Sequence, residues 1–381
     1  MSGLRVLEIA AIGPVPFAGM LLSDLGADVI RVDRTRPDPG STWNDPHLDV
    51  LGRGRRSIAV DLKTERGVEV VLRLAESADV LLEGFRPGVA ERLGIGPQAC
   101  MIRNSRLVYG RMTGWGQQGP LASAAGHDIN YVALTGALHA VGGEDSPVPP
   151  LNLVGDFGGG ALYLVTGVLA ALLERVRSGK GDVVDAAMVD GAASLMSIFY
   201  VMQQIGFWQD RRGANFLDGG APFYGTYRTA DDKFVSVGAI EPQFWAELLA
   251  RLGIDAAEMG FQHDRDAWPA MRERLEAVFR TRTRDQWCEV LEGSDACFAP
   301  VLTIAEAADH PHMAARGTFV RADGITRPGP APRFERSRVD PLAAAPCLGA
   351  HTRQVLEEAG YSPGQIESLL ESGTIAAERV S

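Results

Sequence analysis

At 381 residues with 46% hydrophobic side chains, the chain is too long for one ordinary core and is expected to fold as about two globular domains. A formal net charge of -11 argues against a general nucleic-acid partner or an anionic membrane surface, although a local basic patch can still hold an anionic ligand. The 4 cysteines, Cys100, Cys288, Cys297 and Cys347, are scattered without metal or redox spacing, which fits a reducing cytoplasm and gives no disulfide framework or metal site.

Residues 4–10, 17–25 and 27–32 read as strand, helix and strand, a Rossmann-like opening. The first connection is Ile12-Gly13-Pro14-Val15-Pro16, where a dinucleotide fold would carry G-x-G-x-x-G. Without that run, Asp33 after the second strand is not expected to hold a nicotinamide dinucleotide. Residues 34–56 have the composition of an exposed connection, and 57–62 resume as a strand. Thr64 caps a helix over 65–78, followed by strands at 79–85 and 107–112. Strand and helix alternate, so a parallel sheet is the economical assembly. Arg34, Arg36, Arg53, Arg55, Arg56, Lys63, Arg86 and Arg92 gather at the turns of this region. They form either a phosphate-binding surface at the sheet edge or a solvated basic face.

The central stretch is Gly126-His127-Asp128-Ile129-Asn130 together with the segment from Leu151 through Asp156 to Gly160. Each ionisable group is expected at a helix entrance, where unpaired amides and the helix dipole suit a developing anion. Taken singly, the histidine also fits a structural role and the aspartate an N-cap. The glycine-bearing loop from Thr113 to Pro120 leads into the first half. Residues 157–173 form the longest apolar run, shorter than a membrane span and read as a buried helix. A strand at 182–189 and a second long apolar helix at 191–207 follow.

Beyond a glycine-bearing crossing at 215–222, the segments 223–229 and 234–239 alternate as a β-hairpin. Glu241-Pro242-Gln243 opens a helix, and 268–280, 284–292 and 298–302 read as helix, helix and strand. The expected layout is a large α/β domain over 1–190, a linker helix and crossing over 191–222, a small α+β domain over 223–325, and a return linker with C-terminal helices over 326–381. The last helix is marked by Ser362, Pro363 and Gln365.

Arg-Met-Thr-Gly-Trp-Gly-Gln at 111–117, Gly-His-Asp-Ile-Asn at 126–130, Asn-Leu-Val-Gly-Asp-Phe-Gly-Gly-Gly at 152–160 and Val-Gly-Ala-Ile-Glu-Pro-Gln-Phe at 237–244 occur in this order. Together they resemble the alpha-methylacyl-CoA racemases of the family III CoA-transferase superfamily, with the likeness running from about residue 3 to residue 334. That resemblance implies racemisation of 2-methylacyl-CoA thioesters by α-proton transfer without metal or redox cofactor. By the same analogy His127 and Asp156 match the acid/base pair, and Glu241 matches the acid that orients the histidine. Asp128, Asn152 and Tyr224 match polar groups around the centre. Arg34, Ala59 and Lys63, with Gly84, Phe85, Arg86 and Arg92, fall where the family holds CoA. The resemblance also implies an interlocked homodimer in which the small domain of one subunit completes the site of the other.

The chemistry itself asks for opposed groups in unlike protonation states and donors aimed at an enolate oxygen, for which the amides of residues 155–160 are candidates. An Asp156 raised towards the histidine range is expected on this view. Two alternatives share the scaffold: a CoA-transferase with Asp156 as nucleophile, which the histidine disfavours, and a non-catalytic acyl-CoA-binding protein.

Overall fold

The computed structural model describes residues 1–36, 45–322, 324–336 and 343–378. Two compact units emerge: Met1–Thr135 with Leu151–Leu195 and Val320–Ser381, and Gly136–Pro150 with Met196–Phe319.

The first unit is built on six parallel strands: β1 (Arg5–Ile9), β2 (Asp28–Asp33), β3 (Arg56–Val60), β4 (Val80–Glu83), β5 (Val108–Thr113) and β6 (Val183–Ala187). Their spatial order is β3-β2-β1-β4-β5-β6, with Ile375–Ala376 paired antiparallel on the β3 edge. Alternation along the strands fills both faces: Leu7, Ile30, Ile58 and Leu81 enter one core, and Val6, Val29, Val80 and Leu82 the other. The helices α1 (Pro14–Asp24), α2 (Glu65–Ala75), α3 (Val89–Arg92), α4 (Pro97–Arg103) and α5 (Asp128–Leu134) lie between the strands in sequence or follow them. Thr64 caps α2 by accepting the Gly67 N–H. Chain direction across the sheet reverses between β1 and β4, which opens a crevice beyond their C-terminal ends.

The basic cluster expected on the surface is partly internal. Arg55 pairs with Glu8 at 2.9 Å with both side chains fully buried, Arg53 pairs with buried Asp24, and Arg56 joins Asp28 and Glu358. Burial raises the Glu8 carboxyl above its ordinary range against the pull of Arg55. These three arginines hold elements together and are unavailable to a ligand.

Leu153–Ala161 winds as a wide π-helix and continues without a break into the α-helix Leu162–Ser178. Joined, the 26 residues are long and apolar enough to cross a membrane by length and composition, unlike the shorter run read from the sequence. Nor is the α-helical part buried all round. Leu164, Val165, Val168 and Leu172 pack on the sheet, whereas Leu169, Leu173 and Val176 are exposed.

The expected helix over 191–207 is two helices, Met188–Leu195 and Ser197–Gln204, which fall in different units. The break at Met196 has φ -87 and ψ 3, a bridge conformation open to ordinary residues, so no glycine or proline marks it.

In the second unit β7 (Tyr224–Arg228) and β8 (Phe234–Gly238) form the antiparallel hairpin, and β9 (Phe298–Val301) adds a third strand. Helices Pro242–Leu252, Trp268–Phe279 and Arg284–Leu291 bury Trp245, Leu248, Phe279 and Trp287 with Phe223 and Tyr227 of the hairpin side. Residues 136–150, read from sequence as part of the large domain, belong to this unit. Within the return segment expected over 326–381, residues 337–342 and 379–381 lie outside the described residues.

Candidate active site

His127 stands in extended backbone as the N-cap of α5, its N–H donated to Asn130 Oδ1 at 3.0 Å. Asp128 follows, only 8% exposed, and its Oδ1 accepts the Asp156 N–H at 2.7 Å. The two halves of the sequence signature are therefore joined by a charge-assisted hydrogen bond. Gly155 makes this possible, since a Cβ there would lie 2.3 Å from Asp128 Oδ1.

Asp156 stands in the first turn of its helix, close to the entrance expected from sequence, but it is not the N-cap. It is the fourth residue of the wide turn, and the Phe157 N–H reaches back to Asn152 O at 3.3 Å. Asn152 Nδ2 donates to Asp156 Oδ2 at 3.2 Å, and Phe17 of α1 stacks on Phe157 with centroids 4.4 Å apart. Gly13, at φ 73, leaves room for the carboxyl, because a Cβ there would sit 3.2 Å from Asp156 Oδ2. The turn that would cradle a pyrophosphate in a dinucleotide fold thus abuts a carboxylate.

A cavity of about 470 Å³ is lined by both His127 and Asp156, with Asn152, Trp115, Tyr131 and Met188 among its walls. Burial raises the Asp156 carboxyl above the ordinary range, opposed by the Asn152 hydrogen bond, reinforced by the Asp128 charge and opposed again by His127. Sequence reading missed Trp115 and Tyr131, whose rings meet edge to face at 4.7 Å. Gly114 was the available signal: a Cβ there would lie 2.1 Å from the Tyr131 ring. The amides assigned from sequence to the enolate oxygen are not aimed at the cavity as a set, since those of Asp156 and Phe157 already bond Asp128 and Asn152.

A second cavity, about 850 Å³, lies beyond the ends of β1 and β2 and is lined by Arg34, Arg36, Lys63 and Phe85. Its far wall is the tail, through Ser372, Gly373, Ile375 and Ala376. No sequence pattern announces this role, because the tail strand is only two residues long. Phe85 also lines the first cavity, as do Gly84 and Arg86. Ala59 is fully buried within β3, its N–H bonded to Thr352 Oγ1, so it supports the second cavity from beneath without lining it. Arg92 ends α3, exposed, and lines neither.

A third cavity, about 570 Å³, shares Ile12, Gly13 and Asn152 with the first and is otherwise walled by Pro16, Val50, Leu51, Phe157 and Leu348, with charged Arg31, Asp33 and Asp49 at one side.

Glu241 and Tyr224 belong to the second unit. Tyr224 opens β7 opposite Gly238 of β8, and three residues on Glu241 is the exposed N-cap of Pro242–Leu252, so both stand at one end of the hairpin. Among the described residues no group of three or more His, Cys, Asp or Glu is arranged to hold a metal ion.

Residues 1–352 match the family model for CoA-transferase family III. The chain belongs to that family. Among family III proteins it is 45% identical over 384 residues to the alpha-methylacyl-CoA racemase of Mus musculus, covering 100% of this chain and 98% of the mouse protein. The racemase of Homo sapiens is 44% identical over 383 residues, with the same coverage. The crystal structure of a CAIB/BAIF family protein from Brucella suis superimposes with a TM-score of 0.80 at 28% identity, covering 94% of this chain and 98% of that one.

Proposed function

We propose that this family III protein is an isomerase that interconverts the 2R and 2S forms of 2-methylacyl-CoA thioesters. The observation that carries the reading is that His127 and Asp156 line one cavity, their two segments joined through Asp128. One of the two removes the α-proton, the C–H electrons pass to the thioester oxygen as an enolate, and the other returns a proton to the opposite face. Neutral histidine with protonated aspartate serves one direction, and imidazolium with carboxylate the other. The raised Asp156 supports this, because burial keeps a carboxylic acid available above the ordinary carboxylate range.

The handle of the thioester fits the cavity with Arg34 and Lys63, where cations meet phosphate, and the apolar third cavity suits an acyl chain. Binding energy from the handle then orients the α-carbon. The proposal assigns the chemistry to protein side chains, without metal or redox cofactor, and the setting to the cytoplasm, in keeping with four unpaired cysteines. It includes a homodimer in which the small domain of one subunit, with Glu241 and Tyr224, completes the site of the other. Exposed Leu169, Leu173 and Val176, and separately the helix Ser197–Gln204 with no buried residue, supply apolar surface for such pairing.

His127→Ala tests the assignment. Exchange starting from one enantiomer should be lost while CoA affinity changes little, and equal loss of both would refute the role. Trapping of an acyl-aspartate by hydroxylamine, together with acyl transfer to a free acid, would favour a transferase instead.

A further inference from the structure

We propose that Glu83, through Arg111 and Glu91, is a positioning residue that fixes the bend at Gly84-Phe85 and so connects the CoA-handle cavity to the reaction cavity. The inference rests on the reading above of which cavity holds the handle and which the α-carbon.

Glu83 ends β4, one of the two strands that flank the crevice, and is fully buried. Its Oε2 accepts the Phe85 N–H at 2.7 Å, a contact that turns the chain back across the strand end. Its Oε1 accepts from Arg111 Nε at 3.2 Å, the residue in register with it on β5. Arg111 reaches on to Glu91 of α3 at 2.9 Å. The bend is therefore clamped from one side by a buried carboxylate and from the other by an ion-pair chain.

What the clamp holds is the shared wall. Phe85 faces the cavity with Arg34 and Lys63 and also the cavity with His127 and Asp156. Gly84 presses on the start of α1 and on the turn between it and β1: a Cβ there would come within 2.9 Å of Val15 Cγ2 and 3.2 Å of Ala11 Cβ. The same turn carries Gly13, which abuts the Asp156 carboxyl. A continuous series of contacts thus runs from Glu83 through the bend and the first turn to a reacting group. Burial pushes Glu83 up to about 7 in spite of the Phe85 amide and Arg111.

Glu83→Gln keeps the shape, but its carbonyl can serve only one of the two donors, and its NH2 group turns towards the other. The test compares kcat for a 2-methylacyl-CoA with calorimetric affinity for 3′,5′-adenosine bisphosphate, which probes the handle cavity alone. We expect kcat to fall about 10- to 100-fold while bisphosphate affinity stays within about 2-fold. Parallel loss of both, or loss of neither, overturns the proposal. Glu91→Gln, altering an exposed side chain, weakens the outer end of the same chain. It should reproduce the selectivity in milder form should Glu83→Gln fail to fold, and absence of that selectivity counts equally against the idea. A wild-type protein that neither binds the bisphosphate nor exchanges the α-proton would instead remove the functional reading beneath it.

Discussion

Gly191→Ala offers a geometric test of how Asp156 is held. Helix Met188–Leu195 crosses the wide turn backbone to backbone: a Cβ on residue 191 would lie 1.9 Å from Gly159 O, 2.6 Å from its carbonyl carbon and 2.7 Å from its Cα. Real Cβ contacts begin near 3.0 Å, so the two backbones must part by about 1.1 Å, and no side-chain rotation can absorb the shift. Gly159 is three residues from Asp156 within the same wide turn, so the displacement reaches the carboxyl directly. Overpacking of this kind costs about 1–3 kcal/mol, and a misplacement of about 1 Å in a reacting group is worth roughly 10²-fold in rate. Urea unfolding and α-hydrogen exchange should therefore both register the change, with exchange the more severely affected. Gly364→Ala is the matching control, because its Cβ would meet nothing within 4 Å. If Gly191→Ala retains wild-type exchange, the close crossing does not hold Asp156 in place.

Asp156 holds its proton to higher pH than an ordinary carboxyl. Exchange in the direction that needs the acid form should fail as pH rises through the elevated value, and exchange that needs the carboxylate should fail as pH falls through it. Asp128→Asn removes a charge that raises Asp156 while keeping an acceptor for its N–H, so both limbs should move to lower pH, and an unmoved profile would refute the coupling. On the stability side a raised carboxyl favours folding most below its unfolded value of about 3.9 and loses that contribution as pH rises through the folded value. Asp156→Asn should accordingly stabilise the protein near neutral pH, with the gain vanishing in acid, as read by urea midpoints. Glu8→Gln should cost about 3–5 kcal/mol by stranding the buried Arg55 charge, whereas Glu8→Leu with Arg55→Met should recover most of it. Lys63→Ala should weaken 3′,5′-adenosine bisphosphate binding about 10-fold and flatten its salt dependence, as read by calorimetry.

Strand and helix positions in the first unit were legible because buried parallel strands are short apolar runs and because Thr64 and Ser362 announce helix starts with their own side chains. The hairpin was legible for the same local reason, alternation about the turn at Asp231 and Asp232. Arg55 was not, since nothing near it in sequence shows that its partner, Glu8, lies on β1 and is buried with it. The wide turn around Asp156 was hidden as well: its glycines advertise close approach, but what approaches, Gly191 at Gly159 and Asp128 at the Asp156 amide, is distant in sequence. For the candidate site, the histidine and the aspartate were readable from the motifs, and the joining bond between their two segments was not. The tail wall of the handle cavity escaped notice because Ile375–Ala376 is strand only by virtue of its pairing with β3.

Incubation of a single enantiomer of a 2-methylacyl-CoA in D₂O reads the proposed chemistry at the bond where it occurs. If that chemistry holds, deuterium enters the α-position as optical purity decays, both enantiomers become labelled, and free acid acceptors leave the outcome unchanged. Retention of the α-hydrogen and of configuration by intact, CoA-binding protein would contradict it.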